Sequence, residues 1–304
     1  MKINIIYHNN GFGLTKDANI IKGILKEHTF NMISTYEQSL LEKADLNIFL
    51  EVLDRNDKKF HQYKKLAKRN IFFPNVEWFC NGWIEYLKEF DTICCKTKHS
   101  EKVLNDLGCD NTFFTSFTSE NQWDENITNK YRGFFHSAGK SNNKGTDKLI
   151  QAWKTLENSQ YKLFLLRKGQ SGLSNKNIFL YNDYLKEKDF IKLKNQYLFH
   201  VYPTRYEGFG HNIWESKSMG AVVITTDAEP MNGYCKDFPL RSSRGKKHGL
   251  VYFNEVNPDS IIEQCKKAYK LGINEIHDIA ERNIIEYLAN DEFFKQQLKR
   301  VVNV

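Results

Sequence analysis

Short apolar runs that alternate with helical patterns are the feature that most constrains the fold of this chain. In the first half, runs typical of strands occupy residues 3–7, 46–50, 70–73, 92–96 and 112–117. Segments with apolar residues at helical spacing lie between them, at 16–27, 60–68, 83–90 and 100–107. Apolar strands separated by helices are typical of a parallel sheet covered on both faces. The pattern therefore predicts a doubly wound α/β unit.

The alternation lapses in the polar segment 118–130 and then begins again. The second set of strands is predicted at 133–136, 161–166, 178–181, 198–202, 221–225 and 250–253, with helices at 146–156, 185–195, 212–219, 258–271 and 275–301. We therefore predict two domains, 1–125 and 126–285. A last helix, 286–304, is expected to pack back on the first domain.

Charge, cysteines and apolar content limit the class of protein. The formal net charge is +7, and the excess lies in the second half: residues 1–125 hold 16 Lys and Arg against 18 Asp and Glu. The six cysteines form no C-x-x-C pair, so neither a zinc nor a redox site is predicted. No signal peptide or apolar stretch of about 20 residues is visible. These observations favour a cytoplasmic protein with reduced thiols, and leave peripheral association with a membrane open.

The segment from Tyr202 to Glu215 carries most of the chemistry. A predicted strand ends near Tyr202, two glycines follow at Gly208 and Gly210, and a helix is predicted to begin near Asn212 as its N-cap. Ligands of open α/β sheets bind beyond the carboxyl ends of the strands, where the first amides of a helix attract anions. Two carboxylates, Glu207 and Glu215, frame this turn and can accept hydrogen bonds from sugar hydroxyls. This layout suits a sugar attached to a diphosphate.

The sequence Y-P-T-R-Y-E-G-F-G-H-N-I-W-E-S-K-S-M-G-A-V-V-I-T-T, residues 202–226, resembles the donor-site signature of retaining glycosyltransferases of family 4, the glycosyl transferases group 1. Residues 134–153 resemble the first strand, loop and helix of the same family's donor domain. The resemblance is specific over about 133–251, and in the first 125 residues only the strand–helix order agrees. It implies the GT-B fold, in which two Rossmann-like domains face a central cleft.

The resemblance also implies roles for matching residues. Glu207 would contact the donor sugar, Glu215 would bind the ribose, and Lys144 would bind phosphate. The diphosphate would meet the amides of Phe209, Gly210 and His211. Where the family usually has an arginine shortly before the lysine, this chain has Ala138-Gly139-Lys140, so that match fails and Lys140 is the candidate substitute.

Further candidates for donor binding lie at other predicted strand ends. The alternative is that they are ordinary loop residues. Their positions are Gly11, Gly13, Gly139, Arg205, Gly208, Asn212, Tyr181 and Asn182. In the first half, Glu51 and Glu77 are candidates for orienting an acceptor hydroxyl or acting as a catalytic base; either could instead be a helix cap or an ion-pair partner. His136 is expected to be structural.

The predicted reaction is transfer of a sugar from a nucleoside diphosphate sugar to an acceptor hydroxyl, with retention of configuration implied by the resemblance. Fixed amides and lysines would stabilise the departing diphosphate. No D-x-D pair follows a strand, so no metal and no other cofactor is expected. The acceptor stays open between a glycan, a lipid-linked glycan and a modified nucleic acid. The alternatives are a phosphorylase, an epimerase, a DNA- or nucleotide-directed sugar transferase, and a non-catalytic nucleotide-sugar binding module.

Overall fold

A computed structural model describes residues 1–11, 13–35, 39–51, 53, 57–127, 130–139, 141–156, 160–168, 176–183 and 185–303. The chain divides into two compact units. The first contains residues 1–118, 247–252 and 290–304, and the second contains 119–246 and 253–289.

The first unit is built on a parallel sheet of six strands. They are β1 (Lys2–Tyr7), β2 (Thr29–Ser34), β3 (Leu46–Glu51), β4 (Arg69–Pro74), β5 (Thr92–Cys95) and β6 (Thr112–Phe114), in the order β2-β1-β3-β4-β5-β6. The helices are α1 (Gly13–Ile24), α2 (Asp57–Lys64) and α3 (Lys98–Asp106), with a 3₁₀ helix at Asn81–Glu89. The interior strands are almost fully buried because helices cover both faces of such a sheet.

The second unit repeats this architecture. Its strands are β7 (Tyr131–Gly139), β8 (Leu163–Arg167), β9 (Ile178–Tyr181), β10 (Tyr197–Tyr202), β11 (Val222–Thr226) and β12 (Pro239–Leu240), in the order β12-β11-β10-β7-β8-β9. The registered pairings are parallel. The helices that begin in this unit are α4 (Thr146–Thr155), α5 (Glu187–Asn195), α6 (His211–Ser218), α7 (Pro258–Tyr269) and α8 (Ile273–Asn303). The predicted α/β class with two doubly wound parallel sheets is confirmed.

Three strands are absent from the sequence prediction. Two of them, β2 and β12, lie at sheet edges, and β12 has only two residues. The third, β13 (Ser242–His248), pairs with β14 (Val251–Val256) in a separate two-stranded sheet. No residue of β13 is fully buried, and its sequence S-S-R-G-K-K-H has no apolar residue. An exposed strand needs no apolar pattern, so periodicity cannot reveal it.

The cores of both units are rich in aromatic side chains. In the second unit, Phe134 stacks on Phe199 with centroids 5.1 Å apart and meets Trp153 edge-on at 5.2 Å. Trp153 is fully buried and donates its indole N–H to the Tyr161 carbonyl at 3.1 Å. This packing anchors α4 on the sheet and so fixes the loop that precedes α4.

Candidate functional site

Two loops meet at the carboxyl ends of β7 and β10. Gly145, at the start of α4, lies so close to Pro203 that an added Cβ would be 1.8 Å from the Pro203 carbonyl oxygen. The Asn143 carbonyl accepts hydrogen bonds from the Arg205 amide at 2.7 Å and the Thr204 hydroxyl at 3.1 Å. Only glycine fits at 145, since its φ of 66° also lies in the left-handed region. These contacts hold the two loops in one register.

Lys144 and Glu207 form an ion pair across this junction. The Lys144 ammonium lies 2.7 Å from one Glu207 carboxylate oxygen and 2.8 Å from the other. The Lys144 side chain is 22% exposed and that of Glu207 10%. Two residues 63 positions apart are therefore brought together at the partly open edge of the sheet. The sequence singled out both, and the structure shows that they are direct partners.

The N-terminus of α6 lies beside Glu207. An added Cβ on Gly210 would be 3.5 Å from the Glu207 Cβ. Gly210 is the N-cap, with a φ of 93°, and α6 begins at His211. The expectation that Asn212 is the N-cap is therefore wrong: the chain enters the helix through a left-handed residue, which glycine adopts readily. Asn212 instead donates its side-chain amide to the Ser137 carbonyl at 3.1 Å.

The first amides of an α-helix have no partner within the helix and favour an anion. Gly208 and Phe209 lead directly into this helix start, and Phe209 stacks on Trp214 with centroids 5.9 Å apart. The stacked pair fixes the turn between Glu207 and the helix. The segment thus presents a carboxylate, an ammonium and helical amides side by side.

Glu215, one turn into α6, is 4% exposed and faces a fully buried lysine. The Lys194 ammonium lies 2.5 Å from Glu215 Oε2 and 2.7 Å from the side-chain oxygen of Gln122. Sequence reasoning missed Lys194 and Gln122. Both are polar residues in polar segments, and nothing local marks them as buried.

Arg205 is directed to carboxylates of its own unit. Its guanidinium bonds to Glu255 at 2.9 Å and to Asp147 at 2.9 Å. Burial lowers the Arg205 pKa, but the hydrogen bonds from Glu255 and Asp147 outweigh it and hold that pKa above its ordinary value. The charge of Arg205 is thus already balanced within the protein.

The histidine of β7 has a structural role. His136 is fully buried, with Nδ1 2.6 Å from the Val201 carbonyl and Nε2 2.9 Å from the Thr146 hydroxyl. Burial lowers its pKa to about 4, so the ring is neutral near pH 7. Both ring nitrogens are engaged within the fold, as expected for a structural histidine.

The other predicted donor residues lie at strand ends. Gly139 ends β7 with a φ of 54°, and Tyr181 ends β9 with Asn182 after it. Lys140, the candidate substitute for the missing arginine, lies outside the described residues. In the first unit, Gly11 lies between β1 and α1, and Gly13 is the first residue of α1. The Gly11 amide donates to the Thr15 hydroxyl at 2.9 Å.

A second cluster of ionisable groups occupies the carboxyl ends of β3, β4 and β5 in the first unit. Glu51, the last residue of β3, has a φ of 66° and accepts a hydrogen bond from the Asn75 amide at 2.5 Å. Lys96 follows β5 and pairs with Asp17 of α1 at 2.7 Å, with side chains only 2% and 4% exposed. Burial raises the Glu51 pKa to about 7, against the opposing charge of Lys96.

Glu77 is held differently from Glu51. It is 6% exposed, and its backbone carbonyl accepts a hydrogen bond from the His248 ring. The turn at Gly249 packs on the same backbone, where an added Cβ would lie 2.4 Å from the Glu77 oxygen. The sequence singled out Glu51 and Glu77 but not Lys96 or Asp17, although a lysine directly after a buried strand was a usable signal.

The described part of the chain contains neither a metal-binding cluster nor a membrane-spanning helix. There, no group of three or more His, Cys, Asp or Glu side chains is arranged to hold a metal ion. Within the same residues, no helix is long and apolar enough to cross a membrane.

Comparison of folds places the chain among glycosyltransferase structures. It matches a trehalose-6-phosphate structure from E. coli bound with UDP-2-fluoro glucose, with a TM-score of 0.72 and 11% identity, over 100% of this chain and 98% of the other. It matches Alr3699/HepE from Anabaena in complex with UDP and glucose, with a TM-score of 0.68 and 11% identity, over 100% and 99%. The predicted GT-B class, with its two Rossmann-like domains, is confirmed at the level of the fold.

A family model gives the decisive comparison by sequence. The model for glycosyl transferases group 1 matches residues 117–287, more than half of the chain. No curated protein gives a significant match. The chain therefore belongs to the glycosyl transferases group 1 family, and the enzyme class predicted from the sequence, a glycosyltransferase, is confirmed.

Proposed function

We propose that this member of the glycosyl transferases group 1 family transfers a sugar from a UDP-sugar to an acceptor hydroxyl, with retention of configuration and without a metal ion. The observation that carries the proposal is the Lys144–Glu207 pair at the N-terminus of α6. The choice of uridine rests on the two fold neighbours above, which hold a uridine nucleotide at low sequence identity.

In this proposal the diphosphate meets the first amides of α6, and Lys144 binds a phosphate oxygen. An ammonium has three donors, so Lys144 can hold Glu207 and phosphate together. Negative charge grows on the diphosphate as the bond to the sugar breaks. Preorganised donors stabilise that charge because they need no reorganisation during the reaction. The helix amides and Lys144 thereby stabilise the charge that a metal ion stabilises in other transferases.

Glu207 is proposed to accept hydrogen bonds from hydroxyls of the donor sugar, and Glu215 from the ribose. The short link through Gly208–Gly210 lets Glu207 approach the sugar while the helix start approaches the phosphates.

The proposed acceptor site lies in the first unit, where Glu51 orients the acceptor hydroxyl. Residues in sparsely populated backbone conformations cluster at functional sites, and Glu51 is one of two non-glycine residues with positive φ among the described residues.

The test begins with a thermal-shift screen of UDP-, GDP- and ADP-sugars, because a bound ligand raises apparent stability. Turnover of the best donor is then followed as released nucleoside diphosphate, with and without candidate acceptors. We expect Glu207→Gln to retain donor binding and to lose roughly 100-fold to 1000-fold in turnover. The matched control is Glu125→Gln, at an exposed glutamate of the same unit, which should turn over at the wild-type rate.

Two features of the proposal have separate readouts. Turnover should persist in EDTA, and its loss there with rescue by Mg²⁺ or Mn²⁺ would show that a metal is required. The anomeric configuration of the product, read by NMR, should equal that of the donor. Wild-type turnover by Glu207→Gln would remove Glu207 from the site.

A further inference from the structure

A fully buried lysine stands directly behind Glu215. Lys194, near the end of α5, has no exposed surface. Its ammonium contacts Glu215, Gln122 and the Phe190 ring, whose centroid is 5.2 Å away, and all three belong to the second unit. Removing an ammonium from water is costly unless it is paired and hydrogen-bonded. Lys194 therefore has a defined partner rather than a general packing role.

The surroundings hold this ammonium in one place. The Gln122 amide donates to the Ser218 hydroxyl at 3.0 Å, and the Asn195 side chain donates to the Gln122 carbonyl at 2.7 Å. The His200 ring donates from Nε2 to the Lys194 carbonyl at 3.1 Å. Backbone and side chain of Lys194 are thus both tied to neighbouring elements, so the position of the ammonium fixes the orientation of the Glu215 carboxylate.

We propose that Lys194, together with Gln122, is a positioning residue that orients the Glu215 carboxylate toward the ribose hydroxyls, so that the enzyme distinguishes ribonucleotides from 2′-deoxyribonucleotides. This inference rests on the proposed function, in which Glu215 binds the ribose. A carboxylate accepts at about four lone-pair positions, and Lys194 takes one of them. The lysine also places a positive charge 2.5 Å from Glu215 Oε2, and hydrogen bonds in which one partner is ionised are about twice as strong as neutral ones. Lys194 itself touches no substrate.

The test compares the dissociation constants of UDP and 2′-deoxy-UDP by calorimetry, with the GDP and ADP pairs in parallel. In the wild type we expect the deoxy form to bind roughly tenfold to 100-fold more weakly, the loss of one charge-assisted hydrogen bond. Lys194→Met should bring this ratio close to unity, and Lys194→Arg, which keeps the cation, should restore much of it. A merely structural lysine would lower stability and leave the ratio unchanged.

Lys217→Met is the matched control. Lys217 is another buried lysine of this unit, paired with Glu286, and its loss should destabilise the fold while the ratio stays at the wild-type value. If Lys194→Met fails to fold, Lys194→Met in the Glu215→Gln background removes both charges. Its ratio should then equal that of Glu215→Gln alone, because the two residues act as one unit.

Each contrary result has a distinct meaning. A wild-type ratio in folded Lys194→Met, or a double variant that differs from Glu215→Gln, overturns the inference and leaves the proposed function standing. A wild-type ratio in Glu215→Gln overturns both the inference and the ribose role of Glu215. Failure of the wild-type protein to bind any of the three nucleoside diphosphates overturns the proposed function and the inference with it.

Discussion

Gly145 offers the sharpest test of how the proposed donor site is built. Replacing it with alanine places a Cβ 1.8 Å from the Pro203 oxygen and 2.8 Å from the Pro203 carbonyl carbon. Both atoms belong to the backbone, so neither can rotate away. The loop of Lys144 and the segment that leads to Glu207 must separate, and the ion pair between them must stretch.

The magnitude has two parts. A residue with a Cβ costs about 1–2 kcal/mol in the left-handed region that Gly145 occupies. Overpacking adds about 1–3 kcal/mol when the surroundings can shift. Together they give about 2–5 kcal/mol. In a unit of this size each kcal/mol lowers Tm by about 2–4 °C, so the transition of the second unit should fall by about 10 °C.

The assay is thermal unfolding by circular dichroism together with donor affinity. The matched control is Gly139→Ala, since Gly139 has a φ of 54° but no atom within 4 Å of an added Cβ. It carries the backbone cost alone, so its Tm should fall by about 3–6 °C. Gly145→Ala should also lose donor affinity beyond the loss in the control. Equal Tm and equal affinity in the two variants would refute the claim that Gly145 sets the register of the loops.

Three further predictions follow from single contacts. Lys144→Met should lower kcat/KM for the donor by roughly 100-fold to 1000-fold, as loss of one preorganised donor does, whereas Lys154→Met at an exposed position should not change it. Because burial raises the Glu51 pKa from 4.5 to about 7, the folded state binds more protons there than the unfolded state, and stability is lost as pH rises through that window. Glu51→Gln should remove this loss of roughly 3 kcal/mol, so that Tm rises at about pH 8 and is nearly unchanged at about pH 4. Equal shifts of Tm at both pH values would contradict this prediction. Four thiols should react with Ellman's reagent only on unfolding, and reaction in the native state would show that they are accessible. They are Cys94, Cys95, Cys235 and Cys265, all buried, with thiol pKa values raised by burial.

The fold could be predicted because its signals are local. Each interior strand is an apolar run that ends at a turn, and these runs give the succession of strands and helices along the chain. Strand β2 escaped prediction because Thr29–Ser34 is half-exposed at an edge and mixes polar with apolar residues. A strand that the core does not bury on both faces leaves no continuous apolar run.

The proposed donor site likewise combines residues that are close in sequence with residues that only the fold brings together. Glu207, the two glycines and Glu215 lie within nine consecutive residues, so their spacing was visible in the sequence. The Lys194–Glu215 pair spans 21 positions and the Lys96–Asp17 pair 79. Which lysine is buried depends on how the helices and loops pack, and no local sequence pattern predicts that packing.

The ion pairs of the second unit also change how the positive charge of the second half should be understood. A positive excess can attract phosphate, yet Lys144, Lys194 and Arg205 all contact carboxylates. Charges balanced in this way orient their partners more than they attract ligands from a distance, because opposite charges nearby cancel at long range. The Lys144 ammonium lies against Glu207 at the edge of the site, and the Lys194 ammonium lies against Glu215 in the interior. Each signature glutamate thus has its own lysine from another element. In the proposed function, attraction of the diphosphate therefore falls mainly to the amides at the start of α6.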